Sequence, residues 1–266
     1  MLIVGERINS TRKRVKPAII DRDEEVIRSE AQLQIKAGAN YLDCNAAEVG
    51  VDKEPDTLPW LVEYVQEVTD DIPIAIDSPN VKAIEAALAV HKGEAMINSI
   101  TAEKERLDSL LSVVADSGSK VVALVMDDTG IPNTAEKRIE VGRKLLGTMM
   151  DAGVEADKIH VDPLVFPIST DGKAGLAVME TISTLKREFP GIHFICGLSN
   201  VSYGLPNRKL LNQAFMVLNM SAGLDSVIVD PTDRKLMSLV YATEALLDKD
   251  EFCMNYIGKG RAEELE

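Results

Sequence analysis

Pro73-Ile74-Ala75-Ile76-Asp77-Ser78-Pro79-Asn80, with Val81-Lys82-Ala83-Ile84-Glu85-Ala86-Ala87-Leu88 behind it, decides how the rest of the chain is read. A short apolar run that ends on a carboxylate has the size of a buried strand, and the alanine-rich stretch after Asn80 has the composition of a helix. The same unit recurs in both directions. Upstream lie Leu2-Ile3-Val4-Gly5-Glu6 and Tyr41-Leu42-Asp43-Cys44-Asn45. Downstream lie Ala95-Met96-Ile97-Asn98, Val121-Val122-Ala123-Leu124-Val125-Met126, Ile159-His160-Val161-Asp162, Phe194-Ile195-Cys196-Gly197 and Ser226-Val227-Ile228-Val229-Asp230. Eight strands alternating with helices predict an α/β fold, a single-domain (β/α)8 TIM barrel over residues 1–266, whose site gathers at the carboxyl ends of its strands. Glu6, Asp43, Asn45, Asp77, Asn98, Asp162, Asn200 and Asp230 would converge there, giving a pocket of carboxylates and amides.

The intervening segments carry helix signals. Asp23-Glu24-Glu25 opens one helix, whose apolar face is Val26, Ile27, Ala31, Leu33 and Ile35 and whose stop is Gly38. Glu103 to Val114 supplies another. Asp127 to Thr134, with Gly130 and Pro132, reads as a loop before a helix that ends near Gly153. Pro163 to Gly175 is a second irregular stretch, long enough to act as a lid or docking loop.

Composition narrows the class. At 266 residues and 45% hydrophobic content the chain can build one large core, and barrels of this kind take about 250 residues. No apolar run reaches the roughly 18 residues of a membrane span, and the chain enters a strand with no basic and apolar leader, so a cytoplasmic protein is expected. Three scattered cysteines, Cys44, Cys196 and Cys253, suit reduced thiols. A net charge of −14 disfavours nucleic acid and anionic membrane partners.

Cofactor signatures are missing. There is no phosphate loop, no glycine-rich dinucleotide fingerprint and no histidine pair at ligand spacing. Cys44 and Cys196 lack a third nitrogen or sulfur ligand, so no metal site is expected and both read as small core residues. His160 shares a strand face with Asp162, where an interior hydrogen-bonded role and a catalytic one are both open.

Asp77 and Asp162, ending non-adjacent strands with Asn98 between them in sequence, could surround a flat heterocycle. A pterin suits them, because its ring N–H and exocyclic amino group form a guanidine-like donor edge that a carboxylate accepts at two points. The alternative is that Asp77 and Asp162 only cap the helices that follow.

Five segments, Gly5-Glu6-Arg7-Ile8-Asn9, Ile76-Asp77-Ser78, Met96-Ile97-Asn98-Ser99, Val161-Asp162-Pro163-Leu164 and Gly197-Leu198-Ser199-Asn200-Val201-Ser202, resemble the methyltetrahydrofolate:corrinoid (iron-sulfur) protein methyltransferases of the pterin-binding, dihydropteroate synthase-like superfamily. The likeness runs from residue 1 to about Asn255. It implies a one-carbon methyltransferase that acts between N5 of (methyl)tetrahydrofolate and the cobalt of a corrinoid, or cobalamin, on a partner protein, in either direction. It also implies a homodimer. The pterin-binding residues it implies are Asp77, Asn98, Asp162, Ser199, Gly197, Glu6, Asn9 and Asp43, with Asn200 catalytic beside N5. One departure is Tyr203-Gly204-Leu205, where acetogenic relatives are expected to carry an amide-bearing residue; Tyr203 either faces the corrinoid side or packs. A dihydropteroate synthase would need cations after strands seven and eight to hold a pyrophosphate leaving group, and here Arg208 and Arg234 come late, the latter behind Asp230 and Asp233. A silent folate-binding scaffold is the alternative from another class.

Overall fold

Each apolar run forms a parallel strand, and each helical stretch returns the chain to the same end of the sheet. The computed structural model describes residues 1–266. The strands are β1 (Leu2–Asn9), β2 (Tyr41–Asn45), β3 (Ile74–Asp77), β4 (Met96–Thr101), β5 (Lys120–Leu124), β6 (Ile159–Asp162), β7 (His193–Phe194) and β8 (Ser226–Val229). The helices are α1 (Val15–Ile20), α2 (Glu24–Lys36), α3 (Glu54–Glu67), α4 (Val81–Val90), α5 (Lys104–Ser117), α6 (Ala135–Asp151), α7 (Ala174–Glu188), α8 (Arg208–Ala222), α9 (Arg234–Leu246) and α10 (Met254–Arg261).

The sheet order is β7-β6-β5-β4-β3-β2-β1-β8, all parallel. Closure between β7 and β8 is sparse: Ile228 N donates to Cys196 O at 3.0 Å and Gly197 bridges to Ile228. The seventh run was expected to be a strand through Gly197, yet regular pairing stops at Phe194. Beyond it Ile195 N donates to Val161 O on one side while Cys196 O accepts from β8 on the other, and Leu198–Ser202 then turns into a 3-10 helix. The run thus bridges its neighbours at single points before turning away. β1 runs further than expected, to Asn9, with a register shift after Gly5.

Successive residues of a strand face opposite sides. Val4, Tyr41, Ala75, Met96, Val122 and Ile195 pack together inside the barrel, while 55 other buried residues fill the shell between sheet and helices. Two positions beyond Val4, Tyr41, Ala75 and Met96 on the same faces stand Glu6, Asp43, Asp77 and Asn98. The period of two therefore delivers the polar residues to the carboxyl-end mouth. Gly5 is required here: a Cβ would lie 2.4 Å from Gln34 Oε1, which accepts from Arg7 N at 2.9 Å.

Helix starts follow local chemistry. Asp23 accepts from Val26 N, Asn80 from Lys82 N, Thr134 from Lys137 N and Asp233 from Leu236 N. Asn80, rather than Asp77, caps α4, and Asp162 lies well before α7, so the helix-capping reading of both aspartates is excluded. No helix is long and apolar enough to cross a membrane.

Candidate active site

The mouth is built around carboxyl groups held by amides. Asp77 ends β3 beside Asn98 on β4 and Asn45 on β2. Asn45 Nδ2 donates to Asp77 Oδ2 at 3.0 Å, and its Oδ1 accepts from Ser10 Oγ at 2.6 Å and Ala47 N at 3.2 Å, which fixes the amide's orientation. Asn98 Nδ2 donates to Asp43 Oδ1 at 3.2 Å. Asp162, at the end of β6, accepts from Leu164 N at 2.8 Å. The three carboxyls of Asp77, Asp43 and Asp162 are held by hydrogen bonds rather than by direct cation pairing.

Burial raises the proton affinity of the carboxyls, because a charge loses its hydration in the barrel mouth. It lifts Asp162 to about 7 and Asp77 to about 6. Asp43 is pushed well above the usual range by burial and then by the charge of Asp77. Glu6 is raised by burial and by Asp230. Carboxyls made costly to ionise by burial are relieved by a ligand that brings N–H donors to their charged form.

Asp77, Ser78, Asn98, Ser99, Thr101 and Arg106 line a cleft of about 280 Å³. Glu6 and Ser199 share a second cavity, of about 160 Å³, with Asp230. Asp43 is buried behind Asn98, and Asn9 closes the end of β1, its Oδ1 accepting from Thr11 N at 3.0 Å. Asn200 is exposed on the 3-10 turn, with Nδ2 3.4 Å from the position a Cβ would take on Gly197. Asp230 stands with Glu6 at the mouth, where it is ion-paired: Arg7 Nη1 donates to it at 2.7 Å and Thr232 Oγ1 at 2.7 Å.

Several residues went unassigned in the sequence. Arg106, on α5, donates to the carbonyl oxygens of Ser78, Pro79 and Ser99 at 2.9, 2.6 and 2.7 Å, tying the β3 and β4 exits together. Ser78 Oγ donates to buried Glu54 at 2.7 Å. Arg106 lies seven positions past Ser99 on a half-exposed helix face and gives no periodic cue. Asn45, two residues past Asp43 on the same strand, was by contrast among the residues expected at the mouth.

The remaining open readings separate. His160 is buried at the amino end of the barrel, with Nδ1 2.8 Å from Ser226 Oγ and its ring stacked 4.9 Å from that of His193. Burial lowers its pKa to about 3, so it is a neutral interior residue. Cys44 and Cys196 are buried in the outer core. Tyr203 is 66% exposed with Arg208 6.0 Å from its ring, which excludes a packing role.

Strand order and a polar mouth at the carboxyl ends of the strands define an α/β barrel, and the family described as pterin binding enzyme matches residues 5–230. The chain belongs to that family. Among individual proteins it is 38% identical over 258 residues to a methylcorrinoid:tetrahydrofolate methyltransferase of Eubacterium limosum, covering 96% of this chain and 94% of that one. It is 32% identical over 242 residues to methionine synthase of Mycobacterium tuberculosis, covering 86% of this chain and 20% of that much longer one. In three dimensions it is similar to dihydropteroate synthase of Clostridium difficile, with a TM-score of 0.69 at 20% identity over 92% of this chain and 96% of that one, a likeness of fold alone. The resemblance drawn from the five segments is borne out.

Proposed function

We propose that this chain moves a methyl group between N5 of a tetrahydrofolate and the cobalt of a corrinoid, a cobalamin-type group carried on a separate protein. One observation carries the reading: the Asn45–Asp77 and Asn98–Asp43 pairs, with Asp162, form a mouth of amide-oriented carboxyls whose pKa values are raised. The similarity to a named methylcorrinoid:tetrahydrofolate methyltransferase supports it.

In this reading Asp77 and Asp162 accept from the pterin's ring N–H and 2-amino group, and Asn98 supplies a mixed donor and acceptor at the ring edge. Glu6, Asn9, Asp43, Gly197 and Ser199 complete the pocket. Asn200 stands beside N5. A tertiary amine leaves poorly, so methyl donation needs a proton or a donor waiting at N5, and an amide serves both directions. In the transfer from N5, Asn200 donates as charge develops. In the transfer to tetrahydrofolate, its oxygen accepts a hydrogen bond from N5–H while N5 takes up the methyl group, the electron pair of the broken methyl–cobalt bond stays on cobalt, and the N5 proton leaves to water. The methyl acceptor or donor arrives from the partner protein, so alignment across the mouth is the main catalytic device. We place the protein in the cytoplasm as a homodimer; buried free thiols Cys44 and Cys196 support the first, and exposed Leu246, Phe252 and Met254 support the second.

The test mixes purified protein with methyltetrahydrofolate and chemically reduced cobalamin and follows the visible spectrum. Methylcobalt should appear only when protein is present, and methylcobalamin with tetrahydrofolate should run the reverse. Spectra indistinguishable from the protein-free control in both directions would refute the activity. Product formed instead from pterin pyrophosphate and p-aminobenzoate would identify a synthase.

A further inference from the structure

A cavity of about 730 Å³ lies outside the carboxyl mouth, between the first turns of α8 and α9. Arg208, Lys209, Arg234 and Lys235 line it, against the carboxylates of Asp233 and Glu266. That is an excess of positive charge in a chain whose net charge is −14. The cations that sequence spacing scattered are gathered by the two helix starts. Lys209 Nζ lies 3.3 Å from Asp233 and Arg234 3.5 Å from Glu266. Arg208 donates to Ser202 Oγ at 3.0 Å and to Ser199 O at 2.7 Å, which ties the cavity to the turn that carries Asn200.

The cavity adjoins a smaller one at the Glu6 side of the mouth. Lys209, Gln213, Thr232 and Asp233 line both it and the smaller cavity that contains Glu6 and Ser199. In that inner section Asn212 presents a buried Oδ1 with no hydrogen-bond partner, an acceptor that calls for an N–H. The two adjoining cavities thus offer the carboxyl of Glu6, an unpartnered amide oxygen, and a group of four cations. A folate presents the complementary groups: a donor-edged pterin, a p-aminobenzoyl amide N–H, then glutamate carboxylates.

We propose that this cavity is the subsite for a γ-linked polyglutamate tail on the folate substrate. Arg208, Lys209, Arg234 and Lys235 receive its carboxylates, and Asn212 accepts from the amide N–H. The inference rests on the placement of the pterin at the mouth given under Proposed function. Each added glutamate brings one more carboxylate within reach of a cation, so affinity should rise with tail length and fall with salt.

The experiment measures Kd by calorimetry for unmethylated tetrahydrofolate bearing one and five glutamates, and KM for the methylated forms. The wild-type protein should bind the pentaglutamate about tenfold more tightly, a preference that shrinks at high salt. The double change Arg234→Ala with Lys235→Ala should bring the ratio to within about twofold, and the single exposed change Lys235→Glu should lower it in the same direction. Equal affinity for both tails in the wild-type protein overturns the subsite, as does a preference that survives the double change. A rate lost only with corrinoid protein and kept with free cobalamin, at an unchanged tail preference, would make the cavity a docking surface instead. Binding needs no methyl transfer, which separates the two readings. A tail preference without methyl exchange refutes the methyltransferase and keeps the subsite; methyl exchange without a preference does the reverse, and no folate binding at all refutes both.

Discussion

Asp162→Asn should make the ligand-free protein more stable while abolishing its grip on folate. Burial lifts the Asp162 carboxyl from 3.8 to about 7. Its folded-state affinity for a proton therefore exceeds the unfolded one, so the native state is favoured below this window and loses ground as pH rises through it. At about 1.4 kcal/mol for each tenfold, the penalty comes to about 4 kcal/mol once the group is ionised. Asparagine keeps the acceptor for Leu164 N, bonded at 2.8 Å, and carries no charge to desolvate. The variant's advantage should accordingly grow by about 2–3 kcal/mol between about pH 5 and pH 8, or about 5–10 °C in Tm. Thermal unfolding of both proteins across that range, with and without tetrahydrofolate, makes the measurement. Folate should raise the Tm of the wild-type protein and leave the variant's unmoved, because an amide cannot accept two N–H groups on two oxygens. An advantage independent of pH, or a variant less stable at pH 8, would refute the reasoning.

Further outcomes follow from the same geometry. With the catalytic role proposed for Asn200, Asn200→Ala should lower turnover by about two to three orders of magnitude with little change in folate Kd, and a rate within threefold of wild type would remove Asn200 from the chemistry. Arg106→Ala leaves three loop carbonyls without their donor and should cost about 2–4 kcal/mol in denaturant unfolding while raising the folate KM, because the β3 and β4 exits part. The folate KM should rise as pH falls through about 7 to about 6, as Asp162 and then Asp77 take up protons, while kcat for donation from N5 rises toward mild acidity. A KM constant across that range would separate these carboxyls from pterin binding.

Most of the barrel was legible because a strand buried on both faces must be apolar until it reaches the mouth, and the first polar residue marks that point. Asp77, Asn98 and Asp162 stand where the runs break, and the structure puts Asp77 and Asp162 at strand ends, while β4 runs on past Asn98 to Thr101 with a register shift. The seventh run misled at its end, because Ile195 and Cys196 are apolar for packing reasons while their backbone bridges β6 and β8 at single points. Pattern does not distinguish such a bridge from a ladder. Asp230 stands at the mouth as the pattern implied, but its ion pair with Arg7, 223 residues away in sequence, was not legible. Arg106 and the four-cation cavity were hidden for one shared reason. Their partners come together only when helices from separate units stand side by side, and no local spacing records that.

Why the mouth uses amides to hold its carboxyls, when arginines were at hand, follows from what it must accept. A guanidinium paired with Asp77 would bring its own donor edge, and the pterin proposed to bind there would have to displace it with a similar edge. An amide such as Asn45 engages one oxygen of Asp77 and sets the plane of the group without neutralising it. The empty site then carries a desolvation cost, seen in the raised pKa values of Asp77 and Asp162, which the incoming donor edge relieves. Arg138 supports this from behind. Its guanidinium is fully buried, both terminal nitrogens lack partners, and its charge lowers the pKa of Asp162 without a direct ion pair. The charge thus moderates Asp162 from a distance, keeping it close enough to neutral pH to ionise when a ring N–H arrives.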